Sequence, residues 1–287
     1  MRKSSDGFAE RFADRGLAGF RRRPKIDERG YDPSQPRDDA GRWSGGGDSM
    51  APDRGDGSGG QGTSPSSRDT LAIEQDMDAW ADKNNLSVDW EEDDVSEYEQ
   101  QANTLWETLD DDTKAAFKNY VTSKGSRDIN RYMRGQSTAR GVAGKRIAKQ
   151  AAAMQQAMDD SDLKDGTVLF RAMSVSDSEF SDLEPKLTAG GEIRDDGFMS
   201  TTPSFGIAKE YAIGNIDPGT HADGERSRTV LFKLTTREAK GTFLTREAAG
   251  TGWHEHVLQS GGRIAISNLE KLDSGIIVVE GEVSHAR

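Results

Sequence analysis

The sequence predicts an α+β fold in which helices fill the first half of a globular region and short strands fill the second. Three observations carry this. Between residues 69 and 158 apolar residues recur at helical spacing. From 167 onward short β-type runs alternate with glycine punctuation. Ahead of both, residues 1–68 hold almost nothing apolar and read as a disordered tail. The domain assignment is therefore a tail, 1–68, and one globular domain, 69–287, of about 220 residues, within the size of a single domain.

In the tail, Gly45-Gly46-Gly47, Gly59-Gly60 and the Ser-Pro-Ser-Ser around Pro65 are flexible punctuation. Arg21-Arg22-Arg23-Pro24-Lys25 reads as a solvated basic run. The phrase Asp32-Pro33-Ser34-Gln35-Pro36-Arg37-Asp38-Asp39-Ala40-Gly41-Arg42-Trp43 resembles a segment found at junctions in tailed-phage structural and head-morphogenesis proteins. That resemblance implies phage or prophage provenance and says nothing of chemistry.

The first helix is signalled by Ser67/Asp69 and carried by Leu71, Ile73, Met77, Trp80 and Ala81, with Asn84-Asn85 as its stop. Glu91-Glu92-Asp93-Asp94 reads as a solvated loop before a helix over 97–109. Asp110-Asp111-Asp112 supplies cap candidates for a helix over 113–122, whose face is Ala116, Phe117, Tyr120 and Val121. A helix over 128–134 presents Ile129, Tyr132 and Met133, and one over 145–158 presents Ile147, Ala151, Met154 and Met158. Strands are expected at 167–171, 197–200, 229–234, 242–244, 255–258, 263–266 and 276–282, with a helix from Phe205 to Tyr211 and a hairpin turn at Gly261-Gly262.

Composition narrows the function. A net charge of −12, with 33% apolar and 31% charged residues, argues against general binding to nucleic acid or to anionic membranes. Zero cysteines exclude disulfides, thiolate metal sites and a cysteine nucleophile. No apolar run approaches membrane-spanning length and the N-terminus has no apolar core of a signal peptide.

Three short stretches carry candidate chemistry. Thr167-Val168-Leu169-Phe170-Arg171 ends an apolar run on an arginine. Gly197-Phe198-Met199-Ser200-Thr201-Thr202-Pro203 ends one on three hydroxyls, with Pro203 closing the strand. Glu255-His256-Val257-Leu258 opens one on a glutamate. Taken alone, the hydroxyls are helix caps, and Tyr120 and Tyr132 are packing residues. Arginine, then Ser-Thr, then glutamate, each on a β-type segment, resembles the R-S-E class of mono-ADP-ribosyltransferases, the clostridial-type and arginine-directed exoenzymes. Tyr120 and the Ile129-Asn130-Arg131-Tyr132-Met133-Arg134 turn are similar to the helix pair preceding the arginine in that family.

The resemblance implies a mainly antiparallel two-sheet core behind the helices and NAD as substrate, with no metal. Arg171 would hold the pyrophosphate, for which a guanidinium is the planar, permanently charged match. Ser200 would brace the glutamate and the nicotinamide ribose, with Thr201 and Thr202 stabilising the bend. Glu255 would act on the oxocarbenium-like charge that develops as the nicotinamide bond breaks. Tyr120 and Asn130, with Arg171, Ser200 and Thr201, would frame the NAD pocket. Residues 205–211 would wall the nicotinamide side and 245–253 would face the acceptor.

Two departures stand out. Ala172 replaces the glycine usual after the arginine. At Trp253-His254-Glu255-His256-Val257-Leu258 the family has Glu-x-Glu or Gln-x-Glu directly before Val-Leu, which in strict register puts His254 and His256 on the motif positions. A slide of one residue restores Glu255 and puts Trp253 at the acceptor position; side chains change face with every residue, so the registers are exclusive. Glu255 is the favoured one. Neither supplies the first Glu of Glu-x-Glu, which makes arginine a doubtful acceptor. His254 and His256 lack a third ligand and do not form a metal site by sequence.

The expectation is a mono-ADP-ribosyltransferase that uses NAD on a protein acceptor of a bacterial host, located in host cytoplasm or virion. The alternatives are an NAD glycohydrolase and a catalytically inactive domain kept as a virion or interaction module.

Overall fold

In the computed structural model the described residues are 67–86, 92–136, 141–214, 227–244 and 255–285. Residues 1–66 with the phage-type phrase, His254, and the stretch 245–253 expected to face an acceptor lie outside them, whereas Ser67 and Arg68, assigned to the tail by the sequence, open the first helix. Five helices come first: α1 (Ser67–Lys83), α2 (Glu92–Thr108), α3 (Asp111–Tyr120), α4 (Ser123–Met133) and α5 (Gly141–Asp159). The strands follow: β1 (Val168–Ser176), β2 (Glu192–Asp195), β3 (Met199–Thr201), β4 (Ser227–Thr236), β5 (Gly241–Phe243), β6 (His256–Leu258), β7 (Gly262–Lys271) and β8 (Ile277–Ser284). Helix α6 (Asp177–Leu183) follows β1, and α7 (Phe205–Gly214) follows β3.

The helix starts show why residues form these elements. Asp110 caps α3, its side chain accepting the Thr113 N–H at 2.7 Å. Helix α4 begins five residues earlier than expected because Thr122 caps it through the Gly125 N–H at 3.0 Å. Gly125 is obligatory there, since a Cβ would fall 1.9 Å from the Asn119 carbonyl oxygen. Helix α2 also starts earlier than expected and takes in Glu92, Asp93 and Asp94.

The strands form two sheets, a five-stranded one ordered β1-β4-β8-β7-β2 and a three-stranded one ordered β3-β6-β5. All pairs are antiparallel except β4–β8. Because β6 and β7 belong to different sheets, Gly261-Gly262 is not a hairpin turn. Gly261, at φ +83°, instead turns the chain from the small sheet into the large one and donates its N–H to the Asp195 carbonyl at 2.8 Å. Strand β2 and helix α6 were not expected, their stretch being short and polar.

Period-two alternation gives the large sheet two buried faces. Leu169, Met173, Phe232 and Val279 point to the core between the sheets. Phe170, Ala172, Leu231 and Val278 point outward, beneath α1 and α7, where they meet Ile73, Met77, Trp80 and Phe205. Helix α1 is thus part of the folded unit, tied also by Lys209 to Asp78 at 2.6 Å and Lys83 to Glu270 at 2.8 Å. The far face of the small sheet, Phe198, Leu244 and Val257, packs on α3, α4 and α5 through Phe117, Tyr120, Ile129 and Met154.

Candidate functional site

The two sheets are joined where β3 runs into β1. Phe170 and Thr202 exchange both backbone bonds, at 2.7 and 2.8 Å. This junction fixes Arg171 beside the Ser-Thr strand: one terminal N–H of its guanidinium donates to the Ser200 carbonyl at 2.8 Å. Arg171 is half-buried. Desolvation pushes its pKa below the ordinary arginine range, while Asp195, Tyr120 and Glu255 act in the opposite direction. It remains a cation at any physiological pH.

Strand β6 lies beside β3 with Ser200 opposite Val257 and Thr201 opposite His256. Alternation then decides which side chain faces what. Val257 shares its face with Ser200 and packs on the Tyr120 cluster, and Glu255, two residues back, falls on that same side. Its charge is close enough to act on both the Tyr120 hydroxyl and Arg171. The Glu255 backbone is held separately, its carbonyl accepting the Leu244 N–H at 2.8 Å. His256 takes the opposite face, enclosed by the rings of Tyr98 and Phe243 at 5.0 and 5.1 Å. Thr201 is buried on that face too and donates its hydroxyl to the His256 carbonyl at 3.2 Å, fastening β3 to β6.

Neither imidazole nitrogen of His256 has a hydrogen-bond partner among the described residues, and burial lowers its pKa to about 3. The folded pKa lies below the unfolded value of about 6.5, so the unfolded chain binds the extra proton between the two. The stability tied to neutral His256 is full above pH 6.5 and is lost as pH falls toward 3. We expect His256→Leu to flatten the acid limb of the stability–pH curve, since an unpaired buried polar group contributes nothing a leucine removes. Chemical denaturation at stepped pH checks this.

Tyr120 and Asn130 stand behind β3. The Tyr120 hydroxyl lies 3.2 Å from the Phe198 carbonyl and 3.3 Å from Ser200 Oγ. Asn130 accepts the Phe198 N–H at 2.9 Å and donates to the Tyr120 oxygen at 3.4 Å. Both side chains are fully or almost fully buried, Tyr120 at 0% and Asn130 at 3% exposure. Their polar atoms bond to the Phe198–Ser200 segment and to each other, so both brace β3.

A buried ion pair that the sequence reading passed over completes the neighbourhood. Arg134, at the end of α4, donates Nε and one terminal N–H to Asp195 at the end of β2, each at 2.9 Å. Asp195 also accepts the Gly197 N–H at 2.8 Å. Gly197 leaves room for that guanidinium: a Cβ there would lie 2.4 Å from the Arg134 guanidinium carbon, and the ion pair would have to shift. The other terminal nitrogen of Arg134 is buried without a partner among the described residues. The signal in the sequence was Asp195 two residues before a glycine and Arg134 four after Asn130, neither distinctive alone. Among the described residues no three histidine, aspartate or glutamate side chains converge as metal ligands.

Residues 89–222 match the family model of the ADP-ribosyltransferase exoenzymes. The match takes in Tyr120, Asn130, Arg134, Arg171 and Ser200 and stops short of Glu255. The fold is similar to that of the Vis toxin, an ADP-ribosyltransferase from Vibrio splendidus, with 19% identity over 78% of this chain and 88% of that one and a TM-score of 0.50. Vis solved with agmatine superposes with a TM-score of 0.51 at 18% identity, covering 77% and 87% of the two chains. Plx2a, an ADP-ribosyltransferase toxin from Paenibacillus larvae, superposes with a TM-score of 0.50 at 16% identity, covering 66% and 94%. At these identities the likeness establishes an α+β fold of the ADP-ribosyltransferase type. No curated protein sequence is significantly similar. Among the described residues no helix is long and apolar enough to cross a membrane.

Proposed function

We propose that the protein is an NAD-dependent mono-ADP-ribosyltransferase that moves ADP-ribose from NAD to a protein acceptor and releases nicotinamide. The observation that supports this reading best is the convergence of Arg171, Ser200 and Glu255 from β1, β3 and the start of β6, in a fold of the transferase type and with the exoenzyme family model matching 89–222. In the reaction the bond between ribose C1′ and the nicotinamide nitrogen breaks, its electron pair leaving with nicotinamide. A nucleophile of the acceptor then bonds to C1′ and loses its proton to solvent. Glu255 would stabilise the positive charge developing on the ribose and hold its 2′-hydroxyl. Ser200 would brace that carboxylate, and Thr201, facing away, would keep the two strands in register.

The Arg171 guanidinium suits a pyrophosphate. Arg171→Lys should weaken NAD affinity about tenfold and lower turnover with it, since a point charge replaces a planar fork whose charged hydrogen bonds are worth about 1.5–3 kcal/mol each. Calorimetric titration with NAD checks this; unchanged affinity would put Arg171 outside the pocket.

The phage-type phrase in the tail makes a protein of the bacterial host the proposed acceptor, in host cytoplasm or carried with the virion. The tail, 1–68, would be dispensable for turnover by the domain 69–287. Neither Trp253 nor His254 supplies the carboxylate that would counter a guanidinium, so the proposed acceptor is not arginine. The same lack favours a second reading, NAD glycohydrolase, in which water takes the ribose. Incubation of the purified protein with labelled NAD, alone, with host lysate and with agmatine, tests all of this. Labelled host protein supports transfer, and free ADP-ribose alone supports hydrolysis. Efficient agmatine labelling would make arginine the acceptor type, and no turnover in any arm would leave an inactive fold and overturn the proposal.

A further inference from the structure

The β5–β6 pair, whose second strand leads back to Glu255, is closed at its base by a side chain. Its register sets Thr242 opposite Val257 and Gly241 opposite Leu258, so Lys240 stands opposite Gln259. At the outer end the Leu244 N–H donates to the Glu255 carbonyl at 2.8 Å, and at the base the Gln259 N–H donates to the Lys240 carbonyl at 2.9 Å. An antiparallel pair of this kind exchanges a return bond, here from the Lys240 N–H to the Gln259 carbonyl. The imidazole of His285 stands in its place. The Lys240 N–H donates to Nδ1 at 3.0 Å, and Nε2 lies 2.7 Å from the Gln259 carbonyl. Both ends fix the tautomer: a backbone N–H can only donate and a carbonyl can only accept, so Nδ1 is bare and Nε2 carries the proton. His285 follows directly on β8 and is 6% exposed. Gly262 on β7 leaves room for the ring, since a Cβ there would come within 3.1 Å of Nε2.

We propose that His285 is an acid-sensitive clasp: the neutral ring ties the end of β8 to both strands of the β5–β6 pair, and protonation at Nδ1 unlatches the base of that pair. A proton on Nδ1 would face the Lys240 N–H, donor against donor, so the imidazolium keeps the Gln259 bond alone. Burial is the main influence on the ring and lowers its pKa; the Gln259 carbonyl raises it and the Lys240 ammonium lowers it. The other charges around the ring are engaged elsewhere. Lys240 Nζ reaches the Asp159 carbonyl and lies 3.9 Å from the Asp162 carboxylate. The Asp159 carboxylate accepts from Gln259 Nε2 at 2.6 Å. Ahead of β5, Glu238 gives only its carbonyl to the His285 N–H, at 3.3 Å, and Arg237 pairs with Glu282 of β8 at 3.4 Å. The opened base binds the extra proton between the ordinary histidine value of about 6.5 and the lower folded one. The clasp is therefore fully closed above pH 6.5 and is lost as pH falls through the folded pKa. The bonds involved touch no substrate, so the inference stands apart from the transferase reading.

Amide hydrogen exchange on the full chain at stepped pH, read by NMR and corrected for the intrinsic exchange rate, tests it. The Val279 amide, in the middle of the large sheet, is the reference. In the wild type, protection of the Lys240 amide should fall by up to about tenfold per pH unit below 6.5 while Val279 keeps its protection. Nitrogen NMR of the His285 ring near neutral pH should show a bare Nδ1 and a protonated Nε2. His285→Gln offers an acceptor and a donor that do not titrate, so Lys240 protection should no longer vary with pH. His285→Leu offers neither, and protection should be about tenfold or more below wild type already at neutral pH. Wild-type protection that does not change with pH, a fall shared equally by Val279, a protonated Nδ1 at neutral pH, or a His285→Gln protein that follows the wild-type curve overturns the inference. If neither variant folds, the wild-type pH series and the ring tautomer decide it.

Discussion

Glu255→Gln should lose NAD cleavage and transfer by about 10²–10³-fold while binding NAD as tightly as the wild type. The amide keeps the size of the side chain and removes only its charge. The strand does not depend on that charge, since the Glu255 carbonyl is held by the Leu244 N–H, and Val257 and Leu258 anchor β6 in two cores. In the proposed reaction the charge would act on the ribose as positive character builds at C1′, a state absent from the bound substrate, so the loss should fall on kcat. Single-turnover cleavage of labelled NAD, with affinity measured on the same protein, reads the two separately. Turnover retained in Glu255→Gln and lost in His256→Leu would move the catalytic position one residue along β6, against the alternation that puts His256 with Tyr98 and Phe243.

The fold was legible where a single element declares itself. The apolar faces of α3 and α5, the Asp110 cap and the hydrophobic runs of β4 and β8 each carry a local signal. The pairing of strands does not. Gly261-Gly262 has the composition of a hairpin turn, yet β6 and β7 part into different sheets, because the residues that decide this, Thr201 and Ser200 on one side and Ile193 on the other, are some 60 to 70 positions away. The same holds for the site. Arg171, Ser200 and Glu255 stood out as charged or hydroxyl residues at the ends of apolar runs, a local pattern. The faces that Glu255 and His256 take follow from register alone, and no window of sequence contains it. Tyr120 and Asn130 were noticed as part of a motif, but their work as braces depends on the Phe198 backbone, 78 and 68 residues on. Arg134 and Asp195, 61 residues apart, each look like ordinary polar residues until the fold buries them face to face.

That pair sets up the largest stability effect. Asp195→Ala should destabilise the protein by about 3–5 kcal/mol, because it leaves the Arg134 guanidinium buried with no counter-charge. Arg134 has a side-chain exposure of 1%, and one of its terminal nitrogens is already unpartnered among the described residues, so no slack exists to absorb the loss. The Gly197 N–H would lose its acceptor as well. For a domain of this size the shift in melting temperature should be on the order of 10 °C. Asp195→Asn should cost less, since the amide oxygen can still accept from Arg134 or Gly197 although the charge is gone. Replacing both partners, Arg134→Met with Asp195→Leu, should recover most of the loss, as apolar side chains can fill the place of a buried ion pair. A melt of the double variant as low as that of Asp195→Ala would show that the pair holds the fold by geometry and not by charge balance.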